Sequence, residues 1–228
     1  MARLLEKEIE MLKKKIFELC AMIEENCNSA LKCIENKDTV LAEKVIENDD
    51  EIDDMEIEVE EECLKILALH QPVARDLRYI VAALKINNEL ERIGDLAVNI
   101  AKHMIELCKL DNIEIEFDFQ EMMVKSMAMV KKSIDAFVYL DSALCYEVII
   151  ADDELDTLNK NMFSLFNEYA KKHPGNIDSF LRFLSISRCL ERIADHATNI
   201  AEDVIYMIDG NIVRHRTFST INANQQSN

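Results

Sequence analysis

The chain has 228 residues, with 44 acidic against 26 basic side chains and a formal net charge of −18. A surface this acidic repels a phosphate backbone, which argues against nucleic-acid binding and favours cations or basic protein surfaces as partners. Only 3 glycines and 2 prolines interrupt the chain, a composition that favours long helices, and its uncharged apolar runs are too short to cross a bilayer.

The first half of the chain predicts three helices. Apolar residues recur every three or four positions over residues 2–36, which is typical of an amphipathic helix. Asp38 is a suitable N-cap for a second helix, which runs to His70 and ends at Gln71-Pro72. A third helix is predicted over residues 73–110.

The N-terminus carries acids and lacks the apolar centre of a signal peptide, so we expect a cytoplasmic protein without direct membrane insertion.

The second half repeats this plan. Asp141 separates a fourth and a fifth helix, and Gly210 ends a sixth, which begins after Pro174-Gly175. The seven cysteines form no CxxC pair, so we expect buried or half-buried reduced thiols. The predicted fold is all-α, with two tandem, similar three-helix bundles built from six long helices. The expected divisions are a first bundle over residues 1–110, a linker over 111–118, a second bundle over 119–210 and a disordered tail over 211–228.

A repeated segment organises both halves. Residues 90–101 read Leu-Glu-Arg-Ile-Gly-Asp-Leu-Ala-Val-Asn-Ile-Ala, and one hundred residues later nine of the twelve positions are identical. In each copy a Glu, an Asp and an Asn are spaced four apart, so their side chains stack on one face of a helix. These residues are Glu91, Asp95 and Asn99 in the first copy and Glu191, Asp195 and Asn199 in the second.

A second pair of acids precedes each copy with the same spacing. If the second and third helices form an antiparallel hairpin folded at Pro72, each acid of one helix faces an acid of the other. The same holds for the fifth and sixth helices, folded next to Pro174. The sequence therefore predicts four carboxylates at one level in each half. They are Asp49, Asp53, Glu91 and Asp95 in the first half and Asp152, Asp156, Glu191 and Asp195 in the second.

Four carboxylates this close repel one another unless they are protonated, hydrogen-bonded or bridged by cations. Oxygen ligands suit hard ions such as Mg, Mn, Ca or iron, so we predict two metal sites on the outer faces of the bundles. The alternative is a solvated, charged helix face. Arg92 and Arg192 either orient a carboxylate or form surface ion pairs, and Asn99 and Asn199 either assist the ligands or are solvated.

These motifs, together with Gln71-Pro72, Asp76-Leu77-Arg78 and residues 202–206, resemble the PhoU family over nearly the whole chain. The resemblance implies metal clusters held by E/DxxxD motifs on tandem three-helix bundles, with the eight acids above as ligands. The expected ions are divalent or trivalent: iron, Mn, Mg or Zn. It also implies a cytoplasmic negative regulator of phosphate uptake and the phosphate-starvation response. Such a protein is an adaptor between the ATPase subunit of the phosphate ABC transporter and a sensor histidine kinase, and is commonly a homodimer.

Two departures separate the halves. His196 replaces Leu96, and Arg188 stands where the first half has Asn88, so the two sites need not bind the same metal equally well. We expect no catalysis. Two alternatives stay open at this point: a metal-dependent hydrolase or oxidase built on the carboxylates, and a helical scaffold whose acids bind no ion.

Overall fold

The computed structural model describes residues 2–110 and 119–210, and every regular element in these ranges is helical. The predicted linker over 111–118 and the predicted tail over 211–228 lie outside the described residues. The elements in chain order are α1 (Ala2–Asn36), α2 (Thr39–Glu47), α3 (Asp49–His70), α4 (Ala74–Cys108), α5 (Gln120–Tyr139), α6 (Ser142–Lys172), a short 3-10 turn (Pro174–Asn176) and α7 (Ile177–Asp209).

The helices form two bundles that meet along their central members. α1, α2 and α3 pack with α4 in the first bundle, and α5 and α6 pack with α7 in the second. α4 and α7 share the most extensive contact in the molecule, and α1 also contacts α5. The predicted all-α fold of two tandem, similar helical bundles is confirmed. No described helix is both long enough and apolar enough to cross a membrane.

The core follows the periodicity of the sequence, with one addition. The apolar stripe of α4 is buried throughout, from Ile86 through Leu90 and Ile93 to Met104. α4 also buries neighbouring positions such as Leu96, because α7 covers a second side of the helix. Six of the seven cysteines are buried, whereas Cys108 is exposed, which corrects the expectation that all seven would be sheltered.

The helix predicted from Asp38 to His70 is divided at Asn48. The backbone of Asn48 stays in the right-handed helical region, and its N–H donates to the Lys44 carbonyl at 2.9 Å. Asn is a poor former of helix interiors, and the acids that follow it, beginning with Asp49, are favoured in a first turn. The corresponding residue of the second half, Ala151, continues α6 without a break.

The predicted helix ends are confirmed. Gln71 closes α3 in the left-handed conformation, with its N–H donating to the Leu67 carbonyl, and Pro72 prevents continuation. Gly210 closes α7 with φ 75°, a conformation that glycine adopts without strain. Asp38 caps α2, and Asp141 caps α6 by accepting hydrogen bonds from the N–H groups of Ala143 and Leu144.

We expect Asp141→Ala to lower the free energy of unfolding by about 1 kcal/mol, because two N–H groups at the start of α6 lose their acceptor. Urea unfolding followed by circular dichroism measures the change. Glu168→Ala, which removes an exposed acid from the same helix, is the control and should stay within about 0.5 kcal/mol of the wild type. Equal stability of Asp141→Ala and the wild type would contradict the assigned cap.

Candidate functional site

The hairpin of α3 and α4 brings together four predicted acids, named here the first acidic cluster: Asp49, Asp53, Glu91 and Asp95. Burial, and then the charges of Asp53 and Asp95, raise the pKa of Asp49 to about 6. The pKa of Glu91 is raised by burial and then by Asp95 and Asp53. Because Asp95 acts on Asp49 and Asp53 acts on Glu91, acids of the two facing helices lie close together in the hairpin.

The hairpin of α6 and α7 builds a matching second acidic cluster from Asp152, Asp156, Glu191 and Asp195. Burial, followed by the charges of Asp195 and Asp156, raises the pKa of Asp152 to about 6. Burial raises the pKa of Glu191 first, and Asp195 and Asp156 add to the shift. Burial, and then the charge of Asp156, also raise the pKa of Asp195. Both clusters therefore hold carboxylates whose negative charge is disfavoured in the fold.

Gly94 lets α4 come close to α1 and α3 behind the first acidic cluster. A Cβ atom at this position would lie 3.1 Å from Cδ1 of Ile23 and 3.8 Å from Oδ1 of Asp49. The second half has Ala194 at the same place in the repeat, where the side chain is accommodated and buried. An alanine at position 94 would therefore be tight against Ile23 of α1, whereas its distance to Asp49 would be an ordinary contact.

The two arginines of the repeat behave differently. Arg92 Nη1 donates to Oδ2 of Asp95 at 3.2 Å, and its Nε lies 3.4 Å from Oε2 of Glu91. Arg192 makes no ion pair within 4 Å with another residue in the part of the chain that the structure describes, although its charge lowers the pKa of Glu191. The first acidic cluster is therefore paired with its own arginine, whereas in the second acidic cluster Lys160 is paired with Asp156 at 3.1 Å and Arg192 acts only at longer range.

The asparagines do not play matching roles either. Asn99 is exposed, whereas Asn199 donates through Nδ2 to Oε2 of Glu89 on α4 at 3.1 Å. His196 Nδ1 lies 2.6 Å from the same oxygen of Glu89. These contacts connect the two bundles. The only feature of the sequence that pointed to them is the difference between Leu96 and His196 in the repeat.

Sequence reasoning also missed a fifth acid beside the first acidic cluster. Glu56 stands one helical turn after Asp53, and its pKa is raised by burial and then by Glu60 and Asp53. Asn87 holds it in place by donating to its Oε1 at 2.7 Å and to its carbonyl at 3.0 Å. The second half has Asn159 at the matching position, so this acid belongs to the first half alone.

The donor set suits a hard cation. Carboxylate oxygens are the preferred ligands of such ions, and a cation would relieve the repulsion that raises the pKa values of the acids. One oxygen, Oε2 of Glu91, is buried and accepts no hydrogen bond. As the side chains stand, no three His, Cys, Asp or Glu residues within 2–110 and 119–210 are grouped as a metal ion would require. Ion binding in either cluster therefore requires the carboxylates to reorient.

Fold and site together define a class of protein: tandem three-helix bundles that carry matched acidic clusters on the outside of their helical hairpins. A family model described as "PhoU domain" matches this chain twice, over residues 4–104 and 119–204. The chain therefore belongs to the PhoU family.

Relatives and solved structures agree with this placement. The "Phosphate-specific transport system accessory protein PhoU homolog 1" of Thermotoga maritima is 35% identical over 209 residues, covering 90% of this chain and 89% of the relative. The crystal structure of PhoU from Pseudomonas aeruginosa matches with a TM-score of 0.88 and 34% identity, covering 90% of this chain and 99% of that one. The phosphate transport system regulatory protein PhoU from Streptococcus pneumoniae matches with a TM-score of 0.77 and 25% identity, covering 92% of this chain and 99% of that one.

The raised pKa values predict an unusual pH dependence of stability. An acid whose pKa is higher in the folded state contributes stability that is full at low pH and is lost as pH rises through the folded pKa. Asp49 and Asp152, both with a pKa of about 6, should therefore lower the free energy of unfolding as pH rises from about 4 to about 6. After allowance for solvent screening, the expected loss is on the order of 1 kcal/mol per site.

Urea unfolding in EDTA across this pH range measures the loss by comparing the wild type with Asp49→Asn and Asp152→Asn. Each variant should gain stability relative to the wild type as pH rises, because it no longer ionises. Asp178→Asn, which removes an exposed acid outside both clusters, should run parallel to the wild type. Parallel curves for all four proteins would show that ionisation of Asp49 and Asp152 does not lower the stability of the fold.

Proposed function

We propose that this chain is a cytoplasmic negative regulator of phosphate uptake and of the phosphate-starvation response. In this role it is an adaptor between the ATPase subunit of a phosphate ABC transporter and a sensor histidine kinase. Membership of the PhoU family over both halves is the observation that carries the proposal. The names of the relatives support it, since they are phosphate-specific transport accessory proteins that align over most of their length.

The adaptor acts by contact rather than by turnover, and it does so as a homodimer. A non-catalytic role agrees with the position of the acids on helical hairpins, where Asp53 and Asp195 are open to solvent. A partner can reach such a face directly, whereas a substrate needs walls that exclude water.

The acidic clusters hold metal ions as structural or regulatory elements in this proposal. Asp49, Asp53, Glu91 and Asp95 bind ions in the first half, and Asp152, Asp156, Glu191 and Asp195 do so in the second. Bound iron, Mn, Mg or Zn would neutralise the acids and tie the two helices of each hairpin together. The raised pKa values of the acids support this assignment, as does the buried Oε2 of Glu91, which accepts no hydrogen bond.

Deletion of the gene should derepress phosphate-starvation genes in phosphate-rich medium, because the restraint on the kinase is lost. Reporter expression or transcript levels measure the effect, and a plasmid copy of the wild-type chain should restore repression. A plasmid carrying Glu168→Ala serves as the control for expression of a variant protein. Unchanged reporter expression in the deletion strain would reject the regulatory role.

Protein purified without chelators should contain stoichiometric metal by mass spectrometry. Replacing Glu91 and Asp95 by Ala should remove the metal of the first acidic cluster while that of the second remains, because the clusters lie on separate hairpins. The control replaces Glu18 and Glu61 by Ala, which removes the same number of acids from exposed positions of the first bundle. A wild-type protein that carries no metal would instead support the scaffold that binds no ion.

A further inference from the structure

A groove runs along the outside of the second bundle, between α6 and α7, next to the second acidic cluster. Its volume is about 620 Å³. We call it the α6–α7 groove and define it by six of its lining residues: Asn159, Lys160, Phe163, Leu184, Arg188 and Arg192.

The α6–α7 groove gathers three cations in a chain whose net charge is −18. Neither Arg188 nor Arg192 forms an ion pair within 4 Å with another described residue. Lys160 is paired with Asp156 at 3.1 Å, but its side chain is 75% exposed, so solvent weakens this pair. Glu191 also lines the groove, and the charges of Arg188 and Arg192 lower its pKa. The groove therefore holds three cations against one acid and keeps an excess of positive charge for a negatively charged ligand.

The matching crevice of the first half has a different character. The repeat places Ile57, Glu60 and Asn88 where the α6–α7 groove has Lys160, Phe163 and Arg188. Its cations are both paired: Arg92 with the first acidic cluster, and Lys85, which matches Ser185 of the groove, with Asp203 at 3.1 Å. The acids are thus present in both halves, whereas the arginines without an ion pair and the aromatic lining residue belong to the second half.

Apolar side chains extend the α6–α7 groove toward the turn between the two helices. Phe163 is 51% exposed, and it lies near Leu184 in the groove wall. On α7, Ile177 and Leu181 precede Leu184 and Arg188 at helical spacing on the same face. They are 49% and 56% exposed, so an apolar stripe leads directly into the cationic part of the groove.

We propose that the α6–α7 groove is a docking site for an acidic segment of a partner protein, with an apolar side chain of that segment packed on Phe163 and Leu184. Charge complementarity assigns the acidic character of the partner, since the free guanidinium groups attract carboxylates despite the negative charge of the whole chain. The groove favours a protein segment over a small molecule, because its cations are exposed along a helix face and cannot enclose a small ligand. This docking site does not depend on the regulatory role proposed above.

A fluorescein-labelled peptide of repeated Glu-Glu-Leu-Phe tests the site by fluorescence anisotropy with the full chain. The peptide should bind at low ionic strength and weaken as salt is added. A peptide of repeated Gln-Gln-Leu-Phe should bind much less, because it lacks the carboxylates.

The matched variant places first-half residues into the groove, Lys160→Ile with Arg188→Asn, and should weaken binding of the acidic peptide by about tenfold or more. Both positions are exposed, so folding should be preserved, and circular dichroism checks this. The control variant, Lys131→Ile with Lys171→Asn, also removes two exposed cations from the second bundle and should bind as the wild type does.

Three results would overturn the proposal. The first is absence of binding by the wild type at low ionic strength. The second is equal weakening in the groove variant and the control variant, which would mean that only the overall charge matters. The third is a change of oligomeric state in the groove variant, measured by analytical ultracentrifugation, without any loss of peptide binding. That result would assign the groove to a contact between two copies of the chain.

Discussion

The packing of α4 against α7 is the contact on which the rest of the structure depends. Each of these helices is buried by its own bundle and by the other bundle, so little of its circumference reaches solvent. Small residues are buried on both helices: Gly94, which faces Ile23 of α1, and Ala97 on α4, and Ala194 and Ala197 on α7. The charged residues of the repeat are thereby confined to the one remaining strip, which faces the acids of α3 or α6.

That confinement concentrates charge at a cost in free energy. Carboxylates that neighbour one another and are partly buried would be more stable when protonated, which is why the pKa values of Asp49 and Asp152 rise. A fold selected for stability alone would replace such groups, because apolar or neutral side chains would avoid the repulsion. Retaining the arrangement in both halves is typical of sites whose function requires the charge. The large apolar core supplied by α4 and α7 offsets this local cost.

Much of this architecture is encoded locally and could be predicted. Apolar periodicity specifies the helices, Asp38 and Asp141 specify caps, and Pro72 fixes the hairpin that brings Asp53 to the level of Glu91. The division at Asn48 was missed because a periodic pattern continues through a single weak helix former. The contacts of Glu89 with His196 and Asn199 were missed for a different reason: they join helices of separate bundles, and nothing in the local pattern records which faces of α4 and α7 meet.

The duplication has produced two similar hairpins in unlike surroundings. In the first, Arg92 is paired with the acids and Glu56 adds a further negative charge. In the second, Arg188 and Arg192 form no ion pair with a described residue and line a groove with Phe163. The adaptor role proposed above requires two partners to be distinguished, and two identical surfaces would compete for the same one. Keeping the acids while changing the residues one turn away gives each bundle its own electrostatic character without altering the packing of α4 on α7. The residues that differ beside the two acidic clusters therefore determine partner specificity more than the shared acids do.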